Sequence, residues 1–161
     1  MIRLLTPEDF ALFKLLRLEA LFSHAAAYGG SFEEESLQTD EEWGRLLRTS
    51  YVFAFMDEQV PVGMAGYYIP DRMKKRHRAT VYTVYVKSHY RGRGVMDWLL
   101  GALSYHAKDM GVEQLHLEVG TYNVEALRCY ERNGFAVYGT EPRALKLPEG
   151  YIDEYTMVKY L

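Results

Sequence analysis

The apolar and polar positions along the chain divide it into short strands and amphipathic helices. Residues 81–86, Val-Tyr-Thr-Val-Tyr-Val, are all β-branched or aromatic, the pattern of a strand buried on both faces. Residues 114–119 alternate instead: Leu115, Leu117 and Val119 point one way, His116 and Glu118 the other. Apolar runs at 2–5, 51–56, 60–69, 135–139 and 152–159 predict further strands, with 51–56 and 60–69 joined as a hairpin through Asp57-Glu58-Gln59. Thr6-Pro7-Glu8-Asp9 is a helix start, and Phe10, Phe13, Leu16 and Leu21 carry an apolar face to His24 or Ala26. A second helix at 41–48 is capped by Asp40; a third runs from about Val95 to a Gly111 C-cap; a fourth runs from Asn123 to Gly134. Residues 27–39, with Gly29-Gly30-Ser31 and Glu33-Glu34-Glu35, read as a loop, and 70–78 as a charged connection.

This order, β-α-α-β-β-β-α-β-α-β-β, predicts a mixed α/β layer with a parallel neighbour where a helix crosses between strands. A chain of 161 residues is expected to form one domain, residues 1–161. A net charge of −3 argues against nucleic acid as the main partner. The single cysteine, Cys129, excludes an internal disulfide framework and a cysteine-rich zinc site, and no other ligand spacing points to a metal. No apolar run reaches membrane-spanning length and the N-terminus has no apolar signal core, so a cytoplasmic location without a membrane partner is expected. Fourteen tyrosines suit a site that stacks and hydrogen-bonds a substrate, and equally a core that is filled by aromatics.

The chemistry concentrates where the 81–86 strand turns into a helix. Tyr90-Arg91-Gly92-Arg93-Gly94 aims successive backbone N–H groups and a helix N-terminus at one point, an arrangement suited to phosphate. It is not a P-loop, since no Gly-Lys-Ser/Thr follows, and it is not the dinucleotide fingerprint, since Asp97 stands where the third glycine belongs. A second constellation lies in Asn123-Val-Glu-Ala126-Leu127-Arg-Cys-Tyr130-Glu131-Arg-Asn-Gly134-Phe135. Asn123, Ala126/Leu127 and Tyr130 fall at i, i+3/i+4 and i+7, one face of a short helix, where Asn123 also serves as an N-cap and Gly134 as a C-cap.

Arg91-x-x-Gly94 after a strand resembles the acetyl-coenzyme-A loop of the GCN5-related N-acetyltransferases (GNAT family), departing at Met96, where the family has Gly or Ala. The string N-x-x-A-x-x-x-Y-E-x-x-G-F resembles the second signature of that family, at the family's distance. The resemblance implies an α/β (α+β layered) fold, a mixed, mostly antiparallel sheet of about seven strands flanked by about four helices. It implies transfer of acetyl from acetyl-CoA to an amine by direct attack through a ternary complex. The coenzyme-binding positions would be Val84, Tyr85 and Val86 for the pantetheine arm, Arg91, Gly92, Arg93, Gly94, Val95 and Met96 for the pyrophosphate, and Asn123. Tyr130 matches the family's general acid; a phenol with a pKa near ~10 keeps its proton at neutral pH. Glu118, in a Leu-x-Leu-Glu-Val context, resembles the base of the ribosomal-protein alanine N-acetyltransferase branch; it could instead pair with a basic residue, and other members use water chains. Gly120 stands where that branch commonly has arginine. The acceptor is left open between a small amine and a protein or peptide N-terminus, and residues 33–35 could attract a cation or form a solvated surface. The closing strands often mediate homodimers in relatives. A different class stays open as well, an acyl-CoA-binding module without turnover, against which Tyr130 speaks.

Overall fold

The computed structural model describes residues 1–161 and contains one seven-stranded sheet in the order β1-β2-β3-β4-β5-β7-β6. The strands are β1 (Ile2–Leu4), β2 (Tyr51–Asp57), β3 (Val60–Tyr68), β4 (Arg78–Val86), β5 (Gln114–Gly120), β6 (Ala136–Leu147) and β7 (Gly150–Tyr160). The helices are α1 (Phe10–Ser23), α2 (Phe32–Glu35), α3 (Asp40–Thr49), α4 (Val95–Asp109) and α5 (Val124–Arg132). Every neighbouring pair is antiparallel except β4 and β5, which are parallel because α4 crosses between them. The mixed layer with a parallel neighbour expected from the element order, and the mostly antiparallel sheet of seven strands implied by the family resemblance, are therefore both present.

The sheet is covered on both faces. Leu99, Leu100 and Leu103 of α4 pack on Phe53, Tyr67, Val81, Leu115, Leu117 and Met157. On the opposite face Phe13, Leu16 and Ala20 of α1 and Trp43 and Leu47 of α3 pack on Val52, Ala54 and Met64. Burial of the 81–86 run on both faces follows from its central position: Val81 and Val86 belong to the first core and Tyr85 to the second.

Several boundaries differ from the sequence reading, each for a local reason. Thr6 and Asp9 close a capping box around a single 3-10 turn, so the regular helix begins only at Phe10. Residues 27–39 are not all loop: Ser31 accepts from the Glu34 N–H and caps the one-turn α2. The cap of α3 is Thr39, whose box partner is Glu42, and Asp40 is the first helical residue. Strand β4 starts at Arg78 because its polar first turn pairs with Gln114, Leu115 and His116. The closing hairpin is much longer than its apolar runs, since two register shifts in β6 let residues 136–147 follow β7 through a charged, proline-containing stretch.

Candidate functional site

Strand β4 pairs with β3 as far as Val86, but with β5 only through Arg78, Ala79 and Thr80. Beyond those residues the two parallel strands part and leave a wedge in the sheet. Successive residues of a strand turn their backbone groups to opposite sides. The Lys87 N–H bonds Val62 of β3, so Tyr85 also faces β3 while Val84 and Val86 face the wedge. The wedge opens into a cleft of 1490 Å³. That exceeds the roughly 300–1,000 Å³ of an ordinary small-ligand pocket and leaves room for two ligands.

At the end of the wedge, Gly92 and Gly94 sit at φ 71° and 77°, in the left-handed region that only glycine enters without cost. Gly94 is the N-cap of α4, so the free N–H groups of its first turn face the cleft, with Val95 and Met96 at its wall. Met96 also packs against the α4 core. Arg91 donates from Nε to the Val86 carbonyl at 3.0 Å, and its Nη2 lies 2.6 Å from His24 Nε2. Burial and that guanidinium hold the His24 imidazole below its usual range, so it accepts this bond as the neutral ring. Arg93 is turned the other way, over the Tyr90 ring at 5.4 Å.

Asn123 caps α5, its Oδ1 accepting from the Ala126 N–H at 3.2 Å, and it lines the cleft. One face of α5 carries Ala126 and Tyr130 to the same cleft, as the spacing predicts. Tyr130 is 8% exposed, and its hydroxyl has no hydrogen-bond partner within the protein. Burial pushes its phenol well above the usual range, with smaller contributions from Tyr28 and Cys129, so it holds its proton across neutral pH. Cys129 is half-buried and lines the cleft as well, and burial raises its thiol. Glu118 lies across the cleft on β5, exposed and without an ion pair, which leaves it free of the basic partner considered from the sequence. His116 shares its face but bonds Gln114 and Tyr138 and stays outside the cleft.

Three further groups carry no sequence signal. Tyr28 donates to the Val84 carbonyl at 2.8 Å, within the wedge, and Arg17 lies over its ring at 5.1 Å. Burial pushes the Tyr28 phenol up to about 12. Tyr122 folds its ring against Gly120, where a Cβ would collide with it. Glu154 of β7 lines the cleft at 8% exposure.

A family model described as the acetyltransferase (GNAT) family matches residues 17–135. Over 66 residues the chain is 38% identical to the mycothiol acetyltransferase of Propionibacterium freudenreichii; the match covers 41% of this chain and 21% of that protein, so the chain spans about a fifth of that relative's length. Ribosomal-protein-alanine N-acetyltransferase from Brucella melitensis superposes with a TM-score of 0.85 at 24% identity, over 100% of this chain and 99% of that one. The yncA structure from Salmonella typhimurium, determined with its cofactor acetyl-CoA, gives a TM-score of 0.87 at 19% identity, over 100% and 93% of the two chains. Identities this low establish likeness of fold.

Proposed function

Because the chain belongs to the acetyltransferase (GNAT) family, we propose that it moves the acetyl group of acetyl-CoA onto a primary amine by direct attack, with both substrates in the cleft together. One observation carries this reading: the parting of β4 from β5, with the Gly92/Gly94 loop at one end of the gap and the Tyr130 phenol beside it. A backbone edge, an anion cradle and a proton donor are what transfer from a phosphate-bearing thioester requires.

The residues fit such a substrate. The N–H groups after Gly92 and Gly94 and at the start of α4 would hold the pyrophosphate. Val84 and Val86 would pair their backbone with the amides of the pantetheine arm as an added strand. Tyr28 already occupies one lone pair of the Val84 carbonyl, and the second stays available. Tyr85 contributes to this edge through the strand it continues, while its own side chain bonds Glu19 at 2.8 Å. Arg91 fixes the turn from below through Val86 and His24, whereas Arg93, over the Tyr90 ring, does not line the cleft. Asn123 orients α5, so that Tyr130 holds a proton where the departing thiolate would need one. Glu118, unpaired and facing the acceptor side, takes the role of base for the incoming ammonium, which is mostly protonated at pH 7 when its pKa is near ~10.4.

The test is incubation with acetyl-CoA and a pool of polyamines, amino acids, aminoglycosides and short peptides, read by mass spectrometry beside Tyr130→Phe. An acetylated product that falls sharply in the variant supports transfer. Thermal stabilisation by acetyl-CoA without any product, identical in the variant, would replace it with a coenzyme-binding module.

A further inference from the structure

The acceptor side of the cleft holds a carboxylate that the fold itself leaves unanswered. Strand pairing sets Glu154 of β7 directly opposite Gly120 of β5 on one side and Glu141 of β6 on the other, and sets Glu118 opposite Thr156. Directly opposed residues share a face of the sheet, as do residues two apart, so Glu118, Glu141 and Glu154 stand on one face. It is the face away from Leu117, Val119 and Met157, which point into the α4 core. Like charges at such spacings destabilise a sheet, and no cation answers them.

Glu154 is the sharpest case. It is 8% exposed, lines the cleft, and its carboxylate makes neither a hydrogen bond nor an ion pair. The other deeply buried charge, Arg17 at 9% exposure, is paired with Glu35 by two hydrogen bonds of 2.7 and 2.8 Å. Burial raises the Glu154 carboxyl, and Glu118 and Glu141 raise it further. Gly120, opposite, offers no side chain, and the space above it is taken by the Tyr122 ring. The only sealed polar side-chain atoms without a partner are Gln38 Oε1 and Trp43 Nε1, so the Glu154 oxygens open onto the cleft, where a cation can reach them.

The cations around the cleft are meanwhile all engaged elsewhere. Arg17 is held by Glu35, Arg132 by Asp97, and Arg91 by the Val86 carbonyl and His24. No lysine or arginine side chain lining the cleft is left free to pair with an anionic group.

We propose that Glu154 is the anchor for the acceptor's ammonium, and that the acceptor is a cationic amine with no carboxylate beside its nitrogen. This rests on the transfer reading above and narrows it. Diamines and peptide N-termini share that chemistry; free α-amino acids lack it, because an ammonium held by Glu154 would bring its own carboxylate to the acidic face. Glu154 acts here as a binding residue.

The test is calorimetric titration of the full chain, with and without coenzyme A, using 1,4-diaminobutane, alaninamide and alanine as probes. The wild type should bind one or both of the first two, and alanine at least roughly tenfold more weakly. Glu154→Gln should weaken the amine roughly 10- to 100-fold and leave coenzyme A affinity unchanged, whereas a merely structural residue would change both or the melting temperature alone. Preference for 1,4-diaminobutane or for alaninamide decides between a small diamine and a peptide N-terminus. Alanine binding as tightly as alaninamide overturns the proposal without recourse to any variant. So does Glu154→Gln with wild-type amine affinity, and so does coenzyme binding without amine binding. Absence of coenzyme binding would instead strike at the transfer reading, and the coenzyme-free titrations keep the two failures apart.

Discussion

Arg17 and Glu35 join α1 to the one-turn α2, and breaking their pair gives a prediction with a definite size. The guanidinium bonds both carboxylate oxygens, at 2.7 and 2.8 Å, with 11% and 16% of the two side chains exposed. Removing one member of a buried pair leaves the other desolvated and uncompensated, which costs roughly 3–5 kcal/mol; the residual exposure here places Arg17→Met near about 3 kcal/mol. At about 2–4 °C per kcal/mol for a chain of this size, the melting temperature falls by about 6–12 °C. Replacing both partners, Arg17→Met with Glu35→Leu, removes the orphaned carboxylate and should recover most of that loss. Lys14 and Asp40 supply the control: their 3.1 Å pair is 34% and 66% exposed, and Lys14→Met should change stability by under about 1 kcal/mol. The measurement is urea and thermal unfolding of the wild type, Arg17→Met, Glu35→Leu, the double variant and Lys14→Met. A double variant as unstable as the sum of its parts would refute the orphaned-charge account.

The remaining predictions address the site. Tyr130→Phe removes a hydroxyl that bonds nothing in the protein, so stability should hold while kcat falls roughly 10²- to 10⁴-fold, read by single-time-point product assays and a melting curve. Gly92→Ala puts a Cβ into open space at φ 71°, so its cost is the left-handed backbone alone, about 1–2 kcal/mol, and the stabilisation by acetyl-CoA should shrink as the loop amides shift. Burial and Arg91 depress the His24 pKa in the folded chain, so the unfolded chain takes up its proton first. Stability from this group is complete above about pH 6.5 and is lost as pH falls below it, and His24→Gln should flatten that limb of the melting temperature against pH.

The parts of the site that were legible are those in which backbone geometry restricts residue type. Gly92 and Gly94 stand in the sequence because φ there is positive, and Asn123, Tyr130 and Gly134 follow from a cap, one helix face and a left-handed terminus. Groups assembled by long-range pairing were not legible. Tyr28 reaches Val84 across 56 positions, from a stretch of alanines and glycines with no period of its own. Glu154 sits in an unremarkable Asp-Glu-Tyr-Thr, and its place beside Gly120, over which the Tyr122 ring folds, is set by the β5–β7 register. The acidic run 33–35 was readable as a cation trap or a solvated surface. It is neither throughout: Ser31 bonds Glu34, and Glu35 is spent on Arg17.

One residue links the two cores to the wedge. Thr83 has φ 53° although it is β-branched, a conformation that costs about 1–3 kcal/mol, and the β3–β4 register shifts beside it, between Met64 and Gly66. Before it, the odd positions Ala79 and Val81 pack under α4; after it, Val86 packs there, and Tyr85 joins the α1 side. Without this extra residue the strand would keep its parity, Val86 would leave the α4 core, and the Tyr85 hydroxyl would be driven into that core, away from Glu19. A bulge also increases local twist, which favours the departure of β4 from β5 just after Thr80. The same local defect therefore keeps both apolar faces in phase and leaves the backbone of Val84 and Val86 facing an open gap. The strain at Thr83 is offset by packing on both sides of the sheet, and that packing is what holds the wedge open for a substrate to complete.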